Sequence, residues 1–166
     1  PPLPIPDWPL ELVVDPSQEL DGNVLAELPL GQSQPGAPQL NSVTRIDGPP
    51  EVILLNISGS DPWLWWRGDW GELSPGLTMC FKITCTPEKD LFAAPTAQLF
   101  YAVDDQQLSE AKSRRFPVMA DRVQHTYVLT FRHDREWQGR LTNIRLDPAS
   151  GPGARVEIER ALICLP

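Results

Sequence analysis

Residues 61–70, read DPWLWWRGDW, hold four of the chain's six tryptophans together with Asp61, Arg67 and Asp69. An aromatic ring offers a flat apolar face, and a carboxylate beside a guanidinium offers paired acceptors and donors. Together these suit a molecule with flat C–H faces and many hydroxyls, which is the chemistry of a sugar. Asp61, Trp63, Trp65, Trp66, Arg67 and Trp70 are therefore the candidate binding residues. Gly68, Gly71 and Pro75 mark the segment as a loop. In an extended chain Trp63 and Trp65 face one way and Trp66 the other, whereas Trp66 and Trp70 would pair only on a helix. The same tryptophans could instead cap the open end of a folded body. They could also meet a neighbouring domain, since tryptophan is enriched at interface hot spots.

Other chemistries find less to work with. His125 and His133 lie on either side of an expected strand, and no Gly-x-Ser-x-Gly elbow anchors a serine triad. Ser58-Gly59-Ser60 is a turn and not a phosphate loop, because no Lys follows it. Glu157 and Glu159 are the most regular carboxylate pair. They read as the wet face of a strand, with Arg145 placed to pair with one of them across a hairpin. The three cysteines, Cys80, Cys85 and Cys164, are an odd number and read as buried free thiols. Cys80 and Cys85 would point to opposite faces of a continuous strand, so a bridge between them needs a turn. With no histidine beside them, zinc is not expected, and no cofactor is implied.

Stepping outward, the elements that must hold residues 61–70 are strands. The 166 residues suit one domain of ordinary size, and 19 prolines disfavour helices. Net charge is −8 and the pI about 4.7, against the basic patches that nucleic acid or anionic membrane requires. The opening PPLPIPDWPLEL lacks the basic start and apolar core of a signal peptide. Without an initiator Met it reads as an excised domain or processed product. Compartment is unassigned, the odd cysteine leaning toward a reducing one.

Residues 1–9 are a proline-rich lead or linker, with Trp8 docking it, and 10–166 are the folded body. Strands are expected at 11–15, 22–28, 41–46, 51–57, 77–84, 97–103, 114–119 and 125–131. Met79, Phe81 and Ile83 share one face, and Tyr127, Leu129 and Phe131 another. Pro117 marks 114–119 as an edge strand. Residues 108–112 are the one short helical stretch. Residues 137–163 read as an antiparallel hairpin: Leu141, Ile144 and Leu146 in one strand, a turn at 147–153, then Val156 and Ile158 alternating with charges. Trp137 belongs to the core. The pattern is all-β, an antiparallel β-sandwich.

Four pieces carry a resemblance: YVLTF at 127–131, Trp137 with Gly139, IRLDP at 144–148, and VEIE at 156–159. Together they resemble the closing strands of galactose-binding-like jelly-roll domains, and residues 58–62 and 97–101 are similar to other pieces. The likeness spans about 51–163. It implies a jelly-roll acting as a carbohydrate-binding or accessory module of a larger polysaccharide-related protein. The implied partner is a polysaccharide or oligosaccharide, or a neighbouring domain of the parent. A structural or protein-interaction sandwich without sugar affinity is the alternative, and a glycosidase or lyase fragment a second. Such modules often carry a structural calcium; Asp104, Asp105 and Asp147 are available, though solvated turn carboxylates explain them equally.

Overall fold

Apolar residues alternating with polar ones at period two can bury one side only by pairing into sheets and stacking them. The computed structural model follows that logic and describes residues 23–46, 48, 52–88, 95–131, 134–150 and 152–165. The lead with Trp8, the expected strand 11–15 and His133 lie outside the described residues. Eleven strands are described: β1 (Val24–Glu27), β2 (Gln39–Asn41), β3 (Val43–Arg45), β4 (Ile53–Ile57), β5 (Trp63–Arg67) and β6 (Thr78–Pro87). They continue with β7 (Thr96–Val103), β8 (Ser113–Pro117), β9 (Gln124–Thr130), β10 (Leu141–Asp147) and β11 (Ala154–Cys164). Residues Glu110–Lys112 form a single 3₁₀ turn, where a short helix was expected.

All pairings are antiparallel. One sheet runs β3-β4-β11-β6-β9, with β1 added on the second half of β11; the other runs β2-β5-β10-β7-β8. Between them pack Ile53, Leu55, Met79, Phe81, Ile83, Tyr127 and Val156 from the first sheet. Leu64, Trp66, Leu99, Tyr101, Phe116, Ile144 and Leu146 meet them from the second. The all-β sandwich is therefore as expected, including β8 at an edge and the inward faces of β6 and β9. Trp137 is also in the core, its ring stacked on Phe131 at 4.0 Å and its indole N–H donated to the Ser74 carbonyl at 2.9 Å.

Three expectations are corrected. The closing hairpin does not form: β10 and β11 are the middle strands of opposite sheets, and the segment joining them crosses from one layer to the other. The turn chemistry of Asp147-Pro148 and Gly153 is real, but it serves an arch between layers. Arg145 consequently never meets Glu157 or Glu159. The single strand at 41–46 is two strands in two sheets, divided at Ser42, whose φ of 50° turns the chain out of extended geometry. The third correction is the loop at 61–70, most of which is β5.

A bulge explains why the alternation of β11 holds only for its first half. The register against β6 shifts between Ile158 and Arg160, so one residue is extra on β11. Val156 and Ile158 face inward before it, and Ala161 and Ile163 after it. Leu162 and Cys164 are thereby turned to the outer face.

Candidate functional site

The segment WLWWR is a strand because Leu64 and Trp66 both find the core, each fully buried. That fixes Trp63, Trp65 and Arg67 on the opposite, outer face, as parity required. Trp66 is withdrawn as a ligand contact: it is enclosed, and its indole N–H is donated to the Pro29 carbonyl at 2.8 Å. Trp70 stands outside the strand, half-buried against the core, with its ring folded over Gly68. Nearby, Asp69 is bound to Arg140 at 2.8 Å and to the Gly71 N–H at 3.1 Å. The Arg140 bond holds the Asp69 carboxyl below its ordinary range.

The outer face of the five-stranded sheet is organised in rows across the strands. In one row Gln39 of β2 stands opposite Trp65, Trp65 opposite Arg145, Arg145 opposite Phe100 and Phe100 opposite Ser113. In the next, Asn41 pairs with Trp63, while Asp147 pairs with Gln98 and Gln98 with Arg115. The sheet thus gathers side chains from five strands beside the two tryptophans.

Each member has a defined hold. Trp63 and Trp65 meet edge to face, 5.7 Å between ring centres and 79° between planes. The Trp65 indole N–H is donated to Asn143 Oδ1 at 3.1 Å, and the Arg67 guanidinium covers its ring at 4.0 Å. Trp65 is therefore already engaged. Trp63 has no hydrogen-bond partner for its indole nitrogen among the described residues. Arg145 lies 5.3 Å from the Trp63 ring centre and 5.0 Å from that of Phe100. Arg145 binds Asp147 through two bonds of 2.8 Å and reaches Asp61 Oδ1 at 3.3 Å. Asn41 Nδ2 donates to the Asp61 carbonyl at 2.8 Å, tying the start of β5 to β2.

Just before the start of β5 a cleft of about 440 Å³ opens, lined by Ser60, Asp61, Pro62, Thr96, Gln98, Arg115, Asp147, Ala149 and Ser150. Its wall is mostly hydroxyl, amide, carboxylate and guanidinium. Burial pushes the Asp147 carboxyl above its usual range, and the neighbouring charges of Asp61 and Glu110 add to that, against the pull of Arg145. Charged groups held against their solvation preference gather at functional sites.

Of the six candidate residues, the structure brings Asp61, Trp63, Trp65 and Arg67 to one face and leaves Trp66 and Trp70 off it. Gln98, Phe100, Arg115, Asn143 and Arg145 complete the face and were not anticipated. Parity held the signal for some of them. If Ala97, Leu99 and Tyr101 point inward, Gln98 and Phe100 point outward. Which strands stand beside β5 had no local signal at all.

The calcium candidates are not brought together. Asp104 and Asp105 sit at one end of the five-stranded sheet, where Asp104 accepts the Arg140 N–H at 3.1 Å, and Asp147 sits at the other. Among the described residues no group of three or more His, Cys, Asp or Glu could hold a metal ion. His125 lies on the other sheet, bonded to Asp121 at 2.8 Å.

No family model matches the chain, and no curated protein matches it in sequence. Solved structures do match it in fold. The second N-terminal cellulose-binding domain of β-1,4-glucanase C from Cellulomonas fimi superposes with a TM-score of 0.54 at 13% identity, covering 89% of this chain and 98% of that one. The xylan-binding module CBM15 gives 0.52 at 13% identity, covering 87% and 97%. A mutant of a family 29 carbohydrate-binding module gives 0.52 at 14% identity, covering 82% and 88%. At such identities the likeness is one of fold. The chain is a jelly-roll β-sandwich built like carbohydrate-binding modules.

Proposed function

We propose that this domain binds a carbohydrate chain on the outer face of its five-stranded sheet, as a non-catalytic accessory module of a larger polysaccharide-related protein. The observation that carries the reading is that Trp63, on the outer face, directly follows Asp61 and Pro62 of the polar cleft and shares Arg145 with the cleft's Asp147. A sugar ring stacks its C–H face on an indole, and its hydroxyls need paired donors and acceptors within hydrogen-bond reach. Trp63 supplies the first. Gln98, Arg115, Asp147 and Asp61 supply the second. Trp65, locked by Asn143 and Arg67, stands behind Trp63 as a rigid support, which limits the entropy lost on binding.

Asp61 and Asp147 share Arg145, so the guanidinium ties both carboxylates into the face beside Trp63. Modules of this fold that bind cellulose and xylan lend the reading further support.

Calorimetric titration of the full chain against a panel of soluble oligosaccharides and polysaccharides tests it. At least one neutral glycan should bind, and Trp63→Ala should weaken that binding at least ~10-fold, the loss of one well-packed aromatic contact. A glycan whose affinity survives Trp63→Ala unchanged would remove this face from consideration. A panel with no binder at all would leave the protein-interaction reading in its place.

A further inference from the structure

The bulge in β11 does more than correct the inward face. It turns Leu162 and Cys164 to the outer side of the six-stranded sheet, where Cys80 of β6 already points. Leu162 is the direct partner of Cys80, and Cys164 is two residues further along the same face. The two sulfurs lie 3.5 Å apart, in van der Waals contact, within a small apolar cluster that also holds Val24 and Val128. Cys85 is elsewhere: it faces the core, fully buried, with burial pushing its thiol up to about 11.

We propose that Cys80 and Cys164 are a disulfide-forming pair, a site at which a low-molecular-weight disulfide such as oxidised glutathione staples β11 to β6. Their side chains already share one pocket, so rotation about the Cα–Cβ bonds, with a small shift of the β11 end, closes the remaining gap between the sulfurs. Cys164 is the attacking group. It is the last residue of β11, beside the register shift that interrupts β1 between Val24 and Ala26, so opening it requires only the end of the strand to fray. Hydrogen bonding within the pair pushes Cys164 down and Cys80 up, with the charge of Arg160 adding to the first and burial to the second.

The electrons balance in two steps. The Cys164 thiolate attacks one sulfur of oxidised glutathione; the glutathione S–S bond breaks, one glutathione leaves as thiolate, and Cys164 carries the mixed disulfide. Cys80 then loses its proton to solvent and attacks Cys164 Sγ, and the second glutathione leaves as thiolate. Two protein thiols are oxidised and one glutathione disulfide is reduced to two thiols.

The full chain, incubated with excess oxidised glutathione just below its unfolding temperature, tests the pairing. Thiol titration in denaturant should fall from the three cysteines of the chain to one, and peptide mapping should recover a crosslinked peptide joining Cys80 and Cys164. The link spans 84 positions of sequence, a long loop, so the oxidised form should melt at least ~5 °C higher. Cys80→Ser should trap glutathione on Cys164, whereas Cys85→Ala should leave the crosslink intact. Three persisting thiols would overturn the proposal. So would a link through Cys85, or stable glutathione adducts on the parent protein without a crosslink.

Discussion

Arg145 and Asp147 stand two residues apart on one strand and close a two-pronged bond, Nε to Oδ1 and Nη2 to Oδ2, both at 2.8 Å. Both side chains are mostly buried, 19% and 17% exposed. The fork holds the guanidinium between the Trp63 and Phe100 rings. Removing it should cost more than a surface pair would. Arg145→Ala is expected to destabilise the fold by roughly 1–3 kcal/mol in urea unfolding, since it leaves a carboxylate without its partner. Arg145→Lys should recover only part of this, because an ammonium cannot make the parallel bonds.

Asp147 itself should behave in the opposite sense with pH. Burial pushes its pKa up, so the folded state holds this proton more tightly than the unfolded chain. The ionised carboxylate therefore works against folding at neutral pH. That loss is recovered as pH falls through the raised pKa toward the unfolded value of about 4. Asp147→Asn removes the titration together with the fork, so its stability relative to the parent should be most favourable at neutral pH and become less so as pH is lowered. Urea midpoints across a pH series check the sign; an advantage that grew toward acid would contradict it.

Neighbouring tryptophans of β5 should separate binding from stability. Trp66→Ala removes a fully buried ring and its bond to the Pro29 carbonyl, and should cost about 3–5 kcal/mol of folding free energy. Trp63→Ala should change stability by less than about 1.5 kcal/mol, since its ring is only partly buried and its nitrogen has no partner among the described residues, while abolishing most glycan affinity. Denaturant curves and titrations on the same two variants would expose a failure of either half.

Gly139 offers a backbone test. Its φ of +107° suits glycine alone, and an added Cβ would stand 2.8 Å from Asp104 Oδ2 and 3.2 Å from Val103 Cβ. Gly139→Ala should destabilise by more than ~1 kcal/mol through strain and the displaced Asp104 turn. A neutral result in thermal unfolding would show that the turn yields freely.

What could be read from the chain alone follows the range of each signal. Side-chain parity is local, so the strands, the inward faces of β6 and β9, and the opposed directions of Trp63 and Trp66 were all legible. Segment type at 61–70 was misread because Gly68, Gly71 and Pro75 crowd its far end, while the alternation of Trp63, Leu64, Trp65 and Trp66 is masked by every member being apolar. The site was half legible. Its tryptophans announced themselves, but Gln98, Arg115 and Arg145 join them only through register between strands distant in sequence. The hairpin failed for the same reason: nothing in Asp147-Pro148 distinguishes a turn within a sheet from an arch between sheets. The thiol pair was hidden likewise, since Cys80 looked toward Cys85 in sequence and meets Cys164 in space.

The arch between β10 and β11 has a consequence for how the molecule comes into being. These two strands are the central members of their respective sheets, and every earlier strand waits on one or other edge for them. During synthesis, β4 and β6, or β5 and β7, cannot join until β10 and β11 have emerged to lie between them. β2 with β5, β3 with β4, β6 with β9 and β7 with β8 can pair beforehand, but neither layer can close until its central strand arrives. A chain interrupted before residue 141 would lack the middle of both layers, and no half of this domain should persist without the other.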